Sequence, residues 1–148
     1  MPVIPGFNIL FMTIQAYIVQ QPVERRQIMA DIHALIIAHD KTVTPAVEPM
    51  MGKEMILYKA HGLMKYGLAG VKNYMSLHVM PIYASPPLFN RYKTLLNQAV
   101  FQKGCINFSG PADMPLSIVQ QLIADCARVN LAKIKEEYMQ AKKAAKKK

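Results

Sequence analysis

The side chains most suited to binding a ligand recur at every second position of one short segment. Tyr74, Ser76 and His78 alternate there with apolar residues, and in a β-strand such alternation places polar and apolar side chains on opposite faces. A face that combines aromatic bodies with polar tips is typical of grooves for small ligands or protein partners. With the neighbours that we expect to border this face, the predicted ligand-binding residues are Tyr58, Tyr66, Lys72, Tyr74, His78 and Lys103. Alternatively, such tyrosines cover a packing helix and contribute to the core.

The sequence contains no motif that predicts catalysis. Nucleophilic catalysis needs a Ser, Cys or Thr next to a base, but no serine lies in a glycine-flanked elbow and no motif links any of the four histidines to a nucleophile. Gly62, Gly67 and Gly70 fit neither the Walker nor the dinucleotide-binding pattern and are instead typical of turns between strands. We therefore predict no catalytic residue.

The residue types that bind metals do not form a recognisable set. Cys105 and Cys126 fit no zinc-binding spacing, and both lie in apolar segments, where cysteine usually acts as a small hydrophobic residue. Iron prefers converging carboxylates and imidazoles, but the acidic residues before the C-terminal segment are scattered. His61 and His78 would face each other across a hairpin in only one register of the strands. The sequence therefore predicts no metal ligands.

Length and composition indicate one globular domain. A chain of 148 residues matches the commonest domain size, and a hydrophobic content of 52% is too high for a disordered chain. The most apolar early segment, residues 4–19, is interrupted by polar residues and Pro5, and no Lys or Arg precedes it. We therefore expect neither a signal peptide nor a membrane span, and the cytoplasm is the predicted location.

The net charge of +9 is concentrated towards the end of the chain. Seven lysines follow Leu131, against only Glu136 and Glu137. A Lys/Ala run such as residues 141–148 has little to bury, so we interpret it as a solvated tail or a frayed helix end. No basic helix face with interleaved aromatic residues accompanies it, so we expect no specific nucleic-acid partner and no membrane partner.

Hydrophobic periodicity predicts the elements that hold these residues. Helical spacing of apolar residues indicates helices over residues 13–20, 23–38, 85–100 and 115–138. Residues 45–52 have the composition of a turn, and shorter apolar or alternating runs indicate strands over residues 55–61, 63–66, 72–80 and 104–108. The predicted fold is α+β, with an antiparallel sheet of four or five strands packed against N-terminal and C-terminal helices. We expect an N-terminal extension (1–12), a single domain (13–140) and a tail (141–148).

Five short strings occur along the chain in a characteristic order. They are Ala16–Ile18, Met51–Ile56, Val71–Leu77, Lys103–Phe108 and Met114–Ile123. In this order they resemble the YdhG-like family of bacterial proteins, a domain of unknown function in which some members are labelled iron chaperones. Two features differ from that family: the segment between Lys72 and Lys103 is longer, and a glycine-methionine-proline string is absent at residues 52–55. The resemblance covers roughly residues 13–138 and implies a YdhG-like fold.

Two functions from different classes follow from these observations. The first is a non-enzymatic binding or accessory module that uses the polar sheet face to bind a small molecule or a protein, with a homodimer as one possible assembly. The second, which the family resemblance implies, is an intracellular iron chaperone with iron as its cargo. The first requires no cofactor.

Overall fold

The computed structural model describes residues 12–146 and contains a six-stranded antiparallel sheet. The strands are β1 (Thr44–Met50), β2 (Lys53–Ala60), β3 (Leu63–Gly70), β4 (Met75–Val79), β5 (Val100–Gln102) and β6 (Cys105–Phe108). Their order across the sheet is β1-β2-β3-β4-β6-β5, and each neighbouring pair is antiparallel. The predicted α+β class and antiparallel sheet are confirmed, with one strand more than the larger number expected. Of the predicted extension 1–12, only Met12 lies within the described residues.

Within residues 12–146, six α-helices precede, interrupt and follow the strands. They are α1 (Ile14–Val19), α2 (Val23–His39), α3 (Met80–Ala84), α4 (Pro86–Leu95), α5 (Leu116–Ala127) and α6 (Leu131–Lys146). The hydroxyl of Thr13 accepts a hydrogen bond from the Ala16 amide at 3.0 Å and so caps α1. Ser85 caps α4 in the same way, and Pro86 occupies its first turn, where a missing N–H costs nothing. The predicted helix start at Ser85 is therefore confirmed.

One face of the sheet carries the main hydrophobic core, and we call it the helix-covered face. Alternate strand residues such as Ile56, Leu68 and Leu77 are fully buried there. The helices α2 and α5 pack against each other and place their buried stripes in the same core. The buried side chains of these two helices are Ile28, Met29, Ile32, Ile36, Val119, Leu122, Ile123 and Cys126.

The other face of the sheet carries a second, smaller set of side chains, and we call it the distal face. Its residues, by the alternation of the strands, include Met55, Leu57, Ala69, Ser76, His78, Cys105 and Asn107. The three apolar ones form a separate cluster with Met50 and Met64, and within residues 12–146 no helix residue belongs to that cluster. The distal face thus has an apolar part on β2 and β3 and a polar part on β4 and β6.

The prediction of a turn over residues 45–52 was wrong for most of that segment, because residues 44–50 form strand β1. Proline is rare in strands because it donates no ladder hydrogen bond, but it is tolerated at a sheet edge. The strand β1 is such an edge strand, and its Pro45 and Pro49 lie opposite Tyr58 and Glu54 of β2. Only Met51 and Gly52, both at positive φ, form the turn.

Two helix ends also differ from the prediction. The helix predicted up to residue 100 ends at Leu95, because Val100–Gln102 pairs with β6 as strand β5. The helix predicted over residues 115–138 is divided into α5 and α6, and the side chain of Asn130 accepts a hydrogen bond from the Lys133 amide at 3.0 Å. Asparagine is a favoured N-cap, so it starts a new helix here instead of continuing the old one.

The end of α6 is expected to contribute little to stability. No residue of α6 is buried, and exposed positions without packing usually contribute within about 0.5 kcal/mol. Ending the chain after Gln140 should therefore leave the melting temperature of the protein almost unchanged in a calorimetric scan. A fall of several degrees would mean instead that the terminal lysines pack their aliphatic stems on the domain.

Candidate functional site

A cavity of about 200 Å³ lies on the distal face. It is bordered by the β1–β2 turn on one side and the loop between β3 and β4 on the other. Its polar groups come from β4, β5 and β6, and β2 adds the charged residues Lys53 and Glu54. The polar side chains that line it include Tyr74, Ser76, His78, Gln102, Cys105 and Asn107. Met50, Met51, Met55 and Ala69 provide apolar walls. The cavity therefore combines hydrogen-bonding groups with a soft apolar surface.

His78 and Cys105 form a hydrogen-bonded pair in this cavity. The strand register places them directly opposite each other on β4 and β6, and His78 Nδ1 lies 3.1 Å from Cys105 Sγ. Burial raises the pKa of the Cys105 thiol, although a hydrogen bond with Ser76 opposes the shift, and burial lowers the pKa of His78. Both groups are therefore neutral at neutral pH and share a hydrogen bond.

Gly67 leaves room beside this pair for two methionine side chains. In the sheet, Gly67 lies opposite His78. A Cβ atom added to Gly67 would lie 3.2 Å from Met55 Sδ, 3.5 Å from Met64 Sδ and 3.5 Å from His78 Cβ. The two thioether sulfurs and the Cβ of His78 therefore surround the same glycine. A larger residue at position 67 would occupy the space that the sulfurs now fill.

The loop that carries Tyr74 is fixed to the helices by Arg25 of α2. Its guanidinium donates hydrogen bonds to the backbone carbonyls of Val71 at 2.6 Å, of Tyr74 at 3.2 Å and of Lys72 at 3.2 Å. The Val71 amide also donates to the Tyr74 carbonyl at 2.9 Å. These bonds hold a four-residue loop closed at the rim of the cavity.

Replacing Arg25 with Ala is expected to loosen this loop. Hydrogen bonds to charged groups are each worth about 1.5–3 kcal/mol when buried, and this side chain is half-buried. We expect a stability loss near the lower end of that range. Relative to the wild type, amide hydrogen exchange should accelerate more at residues 71–74 than in the rest of the sheet. The neighbouring exposed Arg26 provides the control, and equal exchange in both variants would contradict the proposed anchor.

The structure brings together some of the predicted ligand-binding residues and separates others. Tyr74 and His78 both line the cavity. Tyr58 and Tyr66 are 0% exposed and lie on the helix-covered face, so the expectation that they border the polar face was wrong. The prediction misplaced them because the sequence alone does not show whether a tyrosine on another strand lies on the same face of the sheet as His78.

The two buried tyrosines have internal hydrogen-bond partners instead. The hydroxyl of Tyr58 lies 2.7 Å from His33 Nδ1, and that of Tyr66 donates to Asp40 Oδ2 at 2.7 Å. Burial raises the pKa of both phenols well above the usual range. These contacts assign the two side chains to the core, which is the structural alternative that the sequence left open.

Lys72 and Lys103 are both exposed and are not among the residues that line the cavity. Lys72 contributes its backbone carbonyl to the Arg25 anchor. Lys103 lies at positive φ in the tight turn between β5 and β6, next to Gly104. Neither lysine therefore lines the cavity, contrary to the prediction.

The lining residues that sequence reasoning missed include Lys53, Glu54, Gln102, Cys105 and Asn107. The expectation that Cys105 acts as a small hydrophobic residue was wrong, because it is only partly buried and its thiol contacts the imidazole of His78. Cys126, by contrast, is fully buried as expected, and burial raises its pKa to about 12. Cys105 can be recognised as a site residue only from its position opposite His78, and that position depends on the strand register, which the sequence does not show.

Histidines and acidic residues do not gather into a larger group. The register places His78 between Gly67 and Cys105, so it does not face His61, which lies in the β2–β3 turn. Within residues 12–146, no three His, Cys, Asp or Glu side chains come close enough together to hold a metal ion. This statement does not cover the sulfur atoms of methionine.

The part of the chain that the structure describes has no helix with the length and apolar character needed to cross a membrane. Comparisons of the sequence with protein-family models, with curated proteins and with solved structures find no match. The resemblance to the YdhG-like family therefore stays a prediction that rests on the five strings.

Proposed function

We propose that this protein is a non-enzymatic binding module whose ligand occupies the cavity on the distal face. One observation carries the proposal: the polar groups of β4 and β6 and the apolar side chains of β2 and β3 meet in a single concave site. Ligand sites typically combine mostly apolar walls with a few placed polar groups. The sheet gives these groups a rigid support, which suits binding.

The size of the cavity supports a small ligand. Pockets for drug-sized molecules usually enclose about 300–1,000 Å³, whereas this one encloses about 200 Å³. Asn107 and Gln102 hydrogen-bond to each other at 2.9 Å across β5 and β6, and both side chains offer further donors and acceptors to a guest. The ligand is therefore a compact molecule or ion with at least one polar group.

The electrostatics of the His78–Cys105 pair favour binding over nucleophilic catalysis. A catalytic cysteine needs a lowered pKa so that the thiolate is available, but burial shifts the pKa of Cys105 in the opposite direction. Burial also lowers the pKa of His78, so the imidazole is mainly neutral at neutral pH and offers little positive charge to stabilise a thiolate. A neutral thiol and a neutral imidazole are suited to recognising a ligand.

The proposal is tested by screening small polar compounds for stabilisation of the folded protein. A compound that binds only the folded state raises the melting temperature in proportion to its affinity. We expect such compounds to stabilise the wild type but not the variant Ser76→Leu, because the added side chain fills the cavity. The variant Gln120→Ala, on the exposed side of α5, is the control and should respond like the wild type. Compounds that stabilise Ser76→Leu equally well would refute the cavity as the site.

The iron-chaperone alternative is separated by the same assay. Ferrous iron prefers several converging carboxylates and imidazoles, and the cavity lining supplies only one of each, from Glu54 and His78. Under our proposal, micromolar iron leaves the melting temperature unchanged. A saturable, equimolar stabilisation by iron would favour the chaperone function instead.

We also propose that the protein binds its ligand in the cytoplasm, which is the location that the sequence predicts.

A further inference from the structure

Three kinds of soft donor atom lie close to His78 on the distal face. Cys105, on one side of His78, supplies a thiol 3.1 Å from the imidazole Nδ1. On the other side, the thioethers of Met55 and Met64 occupy the space beside Gly67, which the Cβ of His78 also borders. Two thioethers and one thiol therefore flank one imidazole on the distal face.

These donors match one class of metal ion. Thiolate and thioether ligands are soft and select Cu(I) over hard cations, and imidazole also suits copper. Carboxylates, which favour Mg²⁺, Ca²⁺ or iron, are absent from the four side chains. Methionine is unbranched and has three rotatable bonds, so its sulfur adjusts its position with little strain.

We propose that Cys105, His78, Met55 and Met64 form a binding site for a soft monovalent metal ion of the Cu(I) type. The inference rests on the proposed function, because it names the class of ligand that the cavity takes. Binding forms a bond between Cu⁺ and the Cys105 sulfur and breaks the S–H bond, whose proton passes to solvent. Copper stays in the +1 state throughout, so no oxidant or reductant is needed.

The thiol and the imidazole require only a small adjustment. Typical metal–sulfur and metal–nitrogen bonds of about 2.3 and 2.0 Å place the two donor atoms about 3.5 Å apart at a tetrahedral centre. Cys105 Sγ and His78 Nδ1 are 3.1 Å apart. A rotation of either side chain opens this distance, and rotations about the flexible side-chain bonds of Met55 and Met64 bring their sulfurs from Gly67 to the ion.

The test is an anaerobic titration of the full chain with Cu(I), in competition with a chromophoric chelator. We expect one tight site per chain. Losing even an outer-shell partner typically weakens a metal site about 10- to 100-fold, so Cys105→Ser should lose about 100-fold or more in affinity. Met64→Leu, which keeps the volume of the side chain, should lose about tenfold. Met139→Leu on the exposed part of α6 is the control and should bind like the wild type. Equal affinity of Cys105→Ser and the wild type would overturn the proposal.

A second measurement keeps the proposal testable if Cys105→Ser fails to fold. In the wild type, iodoacetamide should alkylate Cys105 and spare the fully buried Cys126. Saturating Cu(I) should slow this alkylation by about 100-fold, because the metal-bound sulfur is no longer a free nucleophile. An unchanged rate would contradict the site. If small compounds occupy the cavity while Cu(I) does not, the metal inference fails and the proposed function stands. If neither binds, both fail.

Discussion

Replacing Asp40 with Asn is expected to lower the free energy of unfolding by about 3–5 kcal/mol, because it leaves a buried lysine without its counter-charge. Lys65 Nζ lies 2.9 Å from Asp40 Oδ2, and the two side chains are only 2% and 0% exposed. Asp40 also accepts hydrogen bonds from the Tyr66 hydroxyl and from the amide and hydroxyl of Thr42. An asparagine keeps the shape of the side chain but removes the charge. Urea denaturation of the two proteins measures the loss.

An exposed ion pair on the same sheet provides the control. Lys59 Nζ lies 2.8 Å from Glu48 Oε1, with side chains that are 40% and 36% exposed. Exposed pairs typically contribute about 0–1 kcal/mol, so Glu48→Gln should have little effect. If Asp40→Asn were as mild as Glu48→Gln, the buried pair would not be a structural determinant of the fold.

The same carboxylate predicts how stability depends on pH. Burial raises the pKa of Asp40, but hydrogen bonds from Thr42, Lys65 and Tyr66 outweigh it and hold the pKa below the usual value. A group with a lowered pKa in the folded state stabilises the protein above its unfolded pKa of about 3.9 and loses that contribution as the pH falls through its folded pKa. The wild type should therefore lose stability below about pH 4 more steeply than Asp40→Asn. Parallel acid-unfolding curves would contradict this.

Replacing Leu122 with Ala is expected to destabilise the protein by about 2–5 kcal/mol, through lost burial and the cavity left behind. Leu122 is fully buried on α5, in the core that α5 shares with α2 and the sheet. No polar group replaces the lost methyl groups, and the rigid sheet limits collapse around the void. Equilibrium denaturation in urea gives the value directly.

Gln120→Ala on the same helix is the matched control for Leu122→Ala. Gln120 is exposed, and exposed substitutions usually change stability by less than about 0.5 kcal/mol. The two variants have the same new residue in the same helix, so helix propensity affects both. Similar denaturation midpoints for the two would refute the assignment of the buried face of α5.

Regular periodicity made much of the fold predictable. The apolar spacing of residues 23–38 places α2 within one residue of its observed end. The alternation up to His78 predicts the two faces of β4 correctly, although the strand begins at Met75 and not at residue 72. Both patterns are local, since a helix face and a strand face repeat within a few residues. The helix starts at Thr13 and Ser85 were equally local, because a cap depends on the next three residues.

Local patterns could not reveal how strands align across the sheet. Tyr58 lies opposite Tyr66 and Lys59 lies opposite Met64, so Lys65 is an extra residue in a β-bulge. The bulge turns Lys65 towards Asp40 and the Ala127 carbonyl, against simple alternation. The contact between His78 and Cys105 has the same origin, because the two residues are 27 positions apart and meet only through strand register.

Amide chemical-shift mapping by NMR tests the central claim, that the cavity on the distal face binds the ligand, most directly. A compound that stabilises the wild type in the screen is added to isotope-labelled protein, and the amides that move identify where it binds. We predict the largest shifts at Ser76, His78, Cys105 and Asn107, which line the cavity from β4 and β6, and none of these shifts in Ser76→Leu. Shifts confined to the exposed residues of α6 or to the helix-covered face would contradict the claim.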